Sequence, residues 1–297
     1  MRVLDGKTTA SEIRNELRAR CDALRAEGKK VPRMVIVLVG DNPASALYVQ
    51  HKLDACHAVG LEADCLRMPE NVSEAELRAM VSRLNQDDTV DGFLVQLPLP
   101  KHIHDVNILE RIDWRKDVDG LTAENIGRAV LGKPAIESAT PRGIRELMNR
   151  YGISTDHKHI VIVERSDEEG EASLLLPNVV DKPLASLMLL NSMEKNATVS
   201  LCLATSANLR EMCLSADILI VAASRPGLIK GNMVREGAGV IDVGMTRIDG
   251  VMHGDVDWES VAPKCSFISP VPGGVGPMIV TALLQNLMDR IRTIIKK

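Results

Sequence analysis

Apolar runs of strand length recur along this chain, and helix-like stretches separate most of them. "MVIVLVG" (34–40), "HKHIVIV" (157–163), "ADILIVAAS" (216–224) and "AGVIDVG" (238–244) each carry a nearly unbroken apolar stretch. A strand that is apolar at successive positions is covered on both faces, as in a parallel sheet. Parallel neighbours cannot be joined by a tight turn and need crossover connections, usually helices. This pattern restricts the fold to α/β.

The sequence between the runs fits that restriction. "NPASALYVQHKLDACHAVG" reads as a helix closed by Gly60, glycine being favoured just past a helix end. "LEADCLRM" is a strand, and "SEAELRAMVSRLNQ" is a helix with Ser73 as its N-cap. "VDGFLVQLPLP" is a strand broken by Pro98 and Pro100, and helices are expected near 123–131 and 141–151. A second alternation begins at residue 157, with helices expected at 182–191 and 206–214 and a strand at "ATVSLCL". A final helix starts at Pro277, where proline is tolerated in the first turn. Two sets of βα units imply two α/β domains, and 297 residues are enough for both. The expected boundary lies near residue 145, giving domains at 1–145 and 146–276, with helix 277–297 packing back on the first.

Composition excludes several partners. The net charge is −4 and aromatic residues are 2% of the chain, which argues against nucleic acid and against an anionic membrane surface. The apolar runs are too short to span a bilayer. "MRVLDGKTTASEIRNELRAR" turns into an amphipathic helix almost at once, so no leader is expected and the cytoplasm is the expected compartment. The six cysteines form no C-x-x-C pair, so no zinc site or disulfide frame is expected.

Ligands of open α/β sheets bind beyond the carboxyl ends of the strands, and unusual segments fall there. In "GDNPASALYVQHK", Ser45, Tyr48 and Lys52 are spaced to share one helix face. A tyrosine hydroxyl beside an ammonium makes a proton-transfer pair, although the same spacing also describes a solvated face. Gln96 ends a buried strand, where its amide can bond a neighbouring amine without adding charge. In "KDVDGLTAENIG", Asp117 and Asp119 point to opposite sides if extended, so one can bind a ligand while the other caps the next helix. Both are also ordinary turn residues. "SPVPGGVGPM" (269–278) is either an anion cradle at a helix start or a rigid wall. The Y-x-x-x-K spacing also occurs in short-chain dehydrogenases. There, however, a glycine-rich turn precedes the pair, and none follows "MVIVLVG" here.

Taken together, "YVQHK", "DGFLVQLPLP", "KDVDGLTAENIGR", "ATPRG", "GDV" and "PVPGGVGPM" resemble, in order and over nearly the whole chain, the bifunctional methylenetetrahydrofolate dehydrogenase/cyclohydrolase family. The resemblance implies an N-terminal catalytic domain, a C-terminal Rossmann-like domain, a cleft between them, and a homodimer paired through the Rossmann-like domains. It implies oxidation of 5,10-methylenetetrahydrofolate to the methenyl form with NADP, then hydrolysis to 10-formyltetrahydrofolate. By the same resemblance Lys52 serves the hydrolytic proton transfers, Tyr48 orients the folate and Lys52, and Gln96 holds Lys52 by a hydrogen bond. Asp119 accepts hydrogen bonds from the pterin, as a carboxylate can do twice over. Ser45, Pro272 and Gly273 border the folate or cofactor. Arg165, Ser166, Val180, Pro183 and Thr246 are the implied cofactor contacts, with no metal.

The dinucleotide motif departs from the family pattern G-R-S…V-G-x-P. Arg165, Ser166, Val180 and Pro183 match, but Glu164 and Asp181 replace the glycines, and 167–177 is an insertion. "C-H-S" becomes Cys202-Leu203-Ala204, and "A-x-G-x-P" becomes Ala222-Ala223-Ser224-Arg225-Pro226. A carboxylate near a phosphate repels it, and a side chain in place of glycine blocks close approach. Three readings are thus open: the complete NADP-using enzyme, a cyclohydrolase with a weak or silent dehydrogenase, and a non-catalytic folate-binding dimer. Intact Lys52 and Gln96 speak against the third.

Overall fold

A computed structural model describes residues 1–165 and 196–294, so the expected helix at 182–191 lies outside the described residues. The chain divides into two compact units. One comprises Ser11–Ala139 and the chain from Val280; the other comprises Met1–Ala10 and Thr140–Ile279.

The first unit is built on a three-stranded parallel sheet in the order β3-β2-β4, with β2 at Arg33–Val39, β3 at Glu62–Met68 and β4 at Gly92–Val95. Central β2 is buried from Met34 to Val39, as its unbroken apolar run predicts. Helix α1 runs Gly6–Ala26. Helix α2 (Pro43–Val59) starts under an Asn42 cap with Pro43 in its first turn, and it ends at Gly60 with φ 83°. Helix α3 (Glu74–Gln86) opens with a reciprocal capping box between Ser73 and Glu76. Short helices α4 (Asp105–Leu109) and α5 (Ala123–Val130) follow. The last helix, α9 (Val275–Ile294), ties into this unit beyond residue 280: Arg14 Nε donates to Thr281 Oγ1 (3.0 Å), and Arg20 pairs with Asp289 (3.0 Å).

The second unit carries a six-stranded parallel sheet in the order β1-β11-β8-β7-β5-β6. Its strands are β1 (Arg2–Val3), β5 (His159–Glu164), β6 (Thr198–Leu203), β7 (Ile218–Ala222), β8 (Gly239–Asp242) and β11 (Phe267–Ile268). Helices α6 (Ala139–Arg150), α7 (Leu209–Ser215) and α8 (Trp258–Val261) belong to it, as does an antiparallel hairpin of β9 (Thr246–Ile248) and β10 (Val251–His253). The first ten residues, expected in the N-terminal domain, are grouped here, because β1 pairs with β11 through Arg2↔Phe267 and Val3↔Ile268. The sequence shows neither of these two-residue strands nor the hairpin. From β5 the chain goes outward to β6, then crosses to β7 on the other side of β5. The carboxyl ends of β5 and β7 therefore flank the topological switch point.

Candidate active site

Helix α2 and the segments after β4 bring the predicted folate-side residues together within the first unit. Lys52, half-buried on α2, donates from Nζ to Gln96 Oε1 at 3.0 Å. Gln96 is buried just beyond β4, and its own N–H continues the ladder to Val37 O (2.8 Å). Its Nε2 donates to Leu97 O at 2.7 Å. That second bond fixes the amide with its oxygen toward the ammonium; the flipped amide would face it with N–H groups. The Leu97–Pro98 peptide is cis. Ser45, one helical turn before Tyr48, is 2% exposed, and its Oγ has no hydrogen-bond partner among the described residues. Tyr48 is half-buried on the same helix.

The "KDVDG" segment distributes its side chains between support and site. Lys116 is buried and donates from Nζ to Leu84 O (3.0 Å) and Asp87 O (2.8 Å), an ammonium on the carboxyl end of α3. Burial pushes its pKa below the usual lysine range. Asp117, 1% exposed, accepts from Gly120 N (2.9 Å), Thr122 N (2.8 Å) and Asn125 Nδ2 (3.1 Å). Burial raises its pKa, and these bonds partly oppose the rise. Asn286 on α9 donates to Val118 O and Glu137 O, each at 2.8 Å. Gly120, at φ 69°, leaves no room for a side chain, since a Cβ would lie 2.6 Å from Glu137 C.

Asp119 remains. Its carboxylate is half-buried and accepts no hydrogen bond within the described protein. Burial raises its pKa, and the Lys52 ammonium draws it back down. The two aspartates thus take the separate roles that their alternation allows, with one correction: the cap of α5 is Thr122, whose side chain accepts from Asn125 N (3.3 Å). Asp117 instead closes the turn before it.

The other predicted residues belong to the second unit or fall outside the described residues. Pro272 follows a cis peptide bond, and Gly273 has φ 105° and accepts from Lys7 N at 2.9 Å. Glu164, at the carboxyl end of β5, is 4% exposed; Arg165 beside it is half-buried. Thr246 opens β9 and is half-buried. Ser166, Val180, Asp181, Pro183 and the insertion 167–177 lie outside the described residues.

Sequence reasoning missed two acids, Asp242 at the end of β8 and Asp255 beyond β10, both buried. The available signal was an aspartate closing the apolar run "VID" and the "GDV" that follows. Burial first, then the neighbouring Asp255 carboxylate, pushes the Asp242 pKa up to about 8. Among the described residues no cluster of His, Cys, Asp and Glu is arranged to hold a metal.

Two family models match in tandem. The tetrahydrofolate dehydrogenase/cyclohydrolase catalytic domain covers residues 4–119, and the NAD(P)-binding domain of the same family covers residues 138–294. The bifunctional protein FolD of Cytophaga hutchinsonii is 44% identical over 296 residues, spanning 97% of this chain and 98% of that one. The FolD crystal structure from Campylobacter jejuni superposes with TM-score 0.89 at 39% identity, covering 98% of this chain and 99% of that chain. The Trypanosoma brucei enzyme, solved with NADP cofactor and inhibitor, superposes with TM-score 0.88 at 30% identity, covering 99% and 98%. Both matched domains, the near-complete coverage and the Lys52–Gln96 geometry agree: this chain belongs to the tetrahydrofolate dehydrogenase/cyclohydrolase family.

Proposed function

We propose that the protein oxidises 5,10-methylenetetrahydrofolate to the 5,10-methenyl form with NADP and hydrolyses that product to 10-formyltetrahydrofolate. The observation that carries this reading is Lys52 held by Gln96 at 3.0 Å, with the Asp119 carboxylate left without a protein hydrogen bond. Asp119 offers two oxygens to the paired N–H groups of the pterin. Lys52 lies within electrostatic reach of Asp119; its ammonium gives a proton to the departing ring nitrogen, and the amine so formed takes one back from the attacking water. Gln96 fixes the ammonium without adding a charge to the site. Tyr48 and the unbonded Ser45 hydroxyl, on the same helix, supply polar contacts to the folate.

The second unit fits a dinucleotide. Its parallel sheet presents a switch point between β5 and β7, and Arg165 places a cation beside it. Arg165, Ser166, Val180, Pro183 and Thr246 are the residues that would hold NADP, and Pro272 and Gly273, in the same unit, would border it. NADP, when bound, supplies the hydride acceptor for the methylene carbon. Glu164 stands where the family pattern has glycine, and it favours a second reading, a cyclohydrolase with a weakened dehydrogenase. Two further elements complete the proposal. The protein works in the cytoplasm, in keeping with the absence, among the described residues, of a helix long and apolar enough to cross a membrane. It works as a homodimer, supported by β6, an edge strand among the described residues, which exposes Leu201 and Leu203.

The test is Lys52→Met, assayed for hydrolysis of 5,10-methenyltetrahydrofolate. A folded variant should hydrolyse no faster than the uncatalysed reaction while still binding folate. Retention of the wild-type rate would remove Lys52 from the mechanism.

A further inference from the structure

The acids at the carboxyl edge of the six-stranded sheet form a chain of supports that ends on a strained loop. Asp242 accepts from Gly244 N and Asp255 N on Oδ1, each at 3.0 Å, and from Val256 N on Oδ2, also at 3.0 Å. Asp242 thereby fixes the backbone on which Asp255 sits. Asp255 is 0% exposed, and its Oδ2 accepts from Ala223 N (2.7 Å) and Ser224 N (2.9 Å); the Arg225 N–H also bonds this carboxylate. Gly244 and Gly254 make the placement possible. A Cβ at Gly244 would lie 2.3 Å from Asp255 Cγ, and one at Gly254 would lie 2.0 Å from Asp242 Oδ2.

The segment that Asp255 holds, 223–225, follows β7 directly and forms one flank of the switch point. Ser224 there has φ 53°, a left-handed conformation disfavoured for a residue with a side chain. It persists because a buried carboxylate takes up three successive N–H groups that would otherwise rearrange. On the neighbouring strand, Asp242 likewise takes up backbone N–H groups at the end of β8.

We infer that Asp255 is a positioning residue for the dinucleotide: it holds the 223–225 loop in the conformation that shapes the β7 side of the cofactor crevice. This rests on the reading that the second unit binds NADP. It assigns Asp255 no contact with the cofactor and no part in hydrolysis, whose proposed residues Lys52, Gln96 and Asp119 belong to the other unit.

The experiment compares wild type, Asp255→Asn and Asp255→Ala, each with and without Ser224→Gly. It measures KM for NADP in the dehydrogenase assay, Kd for NADP by calorimetry, and cyclohydrolase turnover on the same preparations. Both measured bonds fall on Oδ2, and Oδ1 has no hydrogen-bond partner among the described residues, so asparagine keeps both but accepts them as a neutral amide instead of a carboxylate; KM and Kd should rise about tenfold, the scale by which charge-assisted bonds exceed neutral ones. Alanine should raise them further, with cyclohydrolase turnover unchanged in both variants. Ser224→Gly should restore part of the loss, because glycine adopts the left-handed conformation unaided. Asparagine is close in shape to aspartate and keeps the test open if the alanine variant does not fold. Folded variants with a lowered melting temperature but NADP constants within twofold of wild type would overturn the proposal and leave Asp255 a structural residue. Failure of wild type itself to bind NADP would overturn the dinucleotide reading, and the inference with it.

Discussion

Asp117 and Asp119 are two residues apart in one acidic motif, and the structure predicts that their alanine variants fail in different assays. Asp117, itself buried, accepts three N–H donors at 2.8–3.1 Å. Asp117→Ala strands those donors, at roughly 1–3 kcal/mol for each left unsatisfied. Part of that is offset, because the buried carboxylate, whose pKa burial raises, no longer has to be kept out of water. A net loss of about 3 kcal/mol should lower the melting temperature by roughly 6–12 °C for a protein of this size class. Asp119→Ala removes no protein hydrogen bond and leaves Lys52 paired with Gln96, so its melting temperature should stay near wild type. Its cost falls on the ligand. Charge-assisted hydrogen bonds are worth roughly 2–3 kcal/mol together, so folate affinity should drop about thirty- to a hundredfold. The assay pairs calorimetric folate titration with thermal unfolding on the same preparations. An Asp119→Ala protein that binds folate like wild type would mean that the pterin lies elsewhere. An Asp117→Ala protein of unchanged stability would refute the role of the closed turn.

Two further outcomes bear on the second unit. Glu164→Gly should strengthen NADP binding, by up to about 250-fold if the carboxylate lies about 5 Å from a phosphate charge at an effective dielectric near 20. The gain should shrink as salt rises, and NADP titrations of both proteins at low and high salt decide it, equal affinities showing that Glu164 is no obstacle. Asp242, with its pKa raised to about 8 against an ordinary 3.8, contributes stability that is fully present below the ordinary value and is lost as pH rises through 8. Unfolding free energies from denaturant titrations between pH 5 and 8 should therefore fall more steeply for wild type than for Asp242→Asn, by about 1.4 kcal/mol per pH unit at most, and parallel curves would discard the assignment.

The sequence revealed most of what a repeating physical requirement writes into it. Strand β2 was legible because burial on both faces excludes polar residues from Met34 to Val39. The Ser73 cap was legible because the N–H groups of a helix start need an acceptor, and Glu76 answers from the fourth position. Two-residue strands such as β1 and β11 have no period to detect, so the exchange of the first ten residues between units left no trace. The cap of α5 was equally hidden, since Asp117 and Thr122 are both good cap residues and only the folded turn shows which one faces Asn125 N. Lys116 and Asp242 ran against the expectation that charged residues lie outside, because backbone groups gathered from distant segments satisfy them.

The two halves also differ in how far a site can be read before it is seen. Proton transfer needs particular side chains, so Tyr48, Lys52, Gln96 and Asp119 stand out as residue types at positions where structure alone does not demand them. Dinucleotide binding in α/β sheets depends heavily on backbone N–H groups at loop turns, whose identity the sequence expresses mainly through glycine. When Ser224 occupies such a turn, the glycine signal disappears while the left-handed conformation remains at φ 53°. What preserves it is Asp255, thirty-one positions further along the chain. Loss of a motif glycine is therefore insufficient ground for declaring a backbone site lost. The question to ask of each such position is whether another residue now holds the conformation, and at Ser224 the hydrogen bonds answer it.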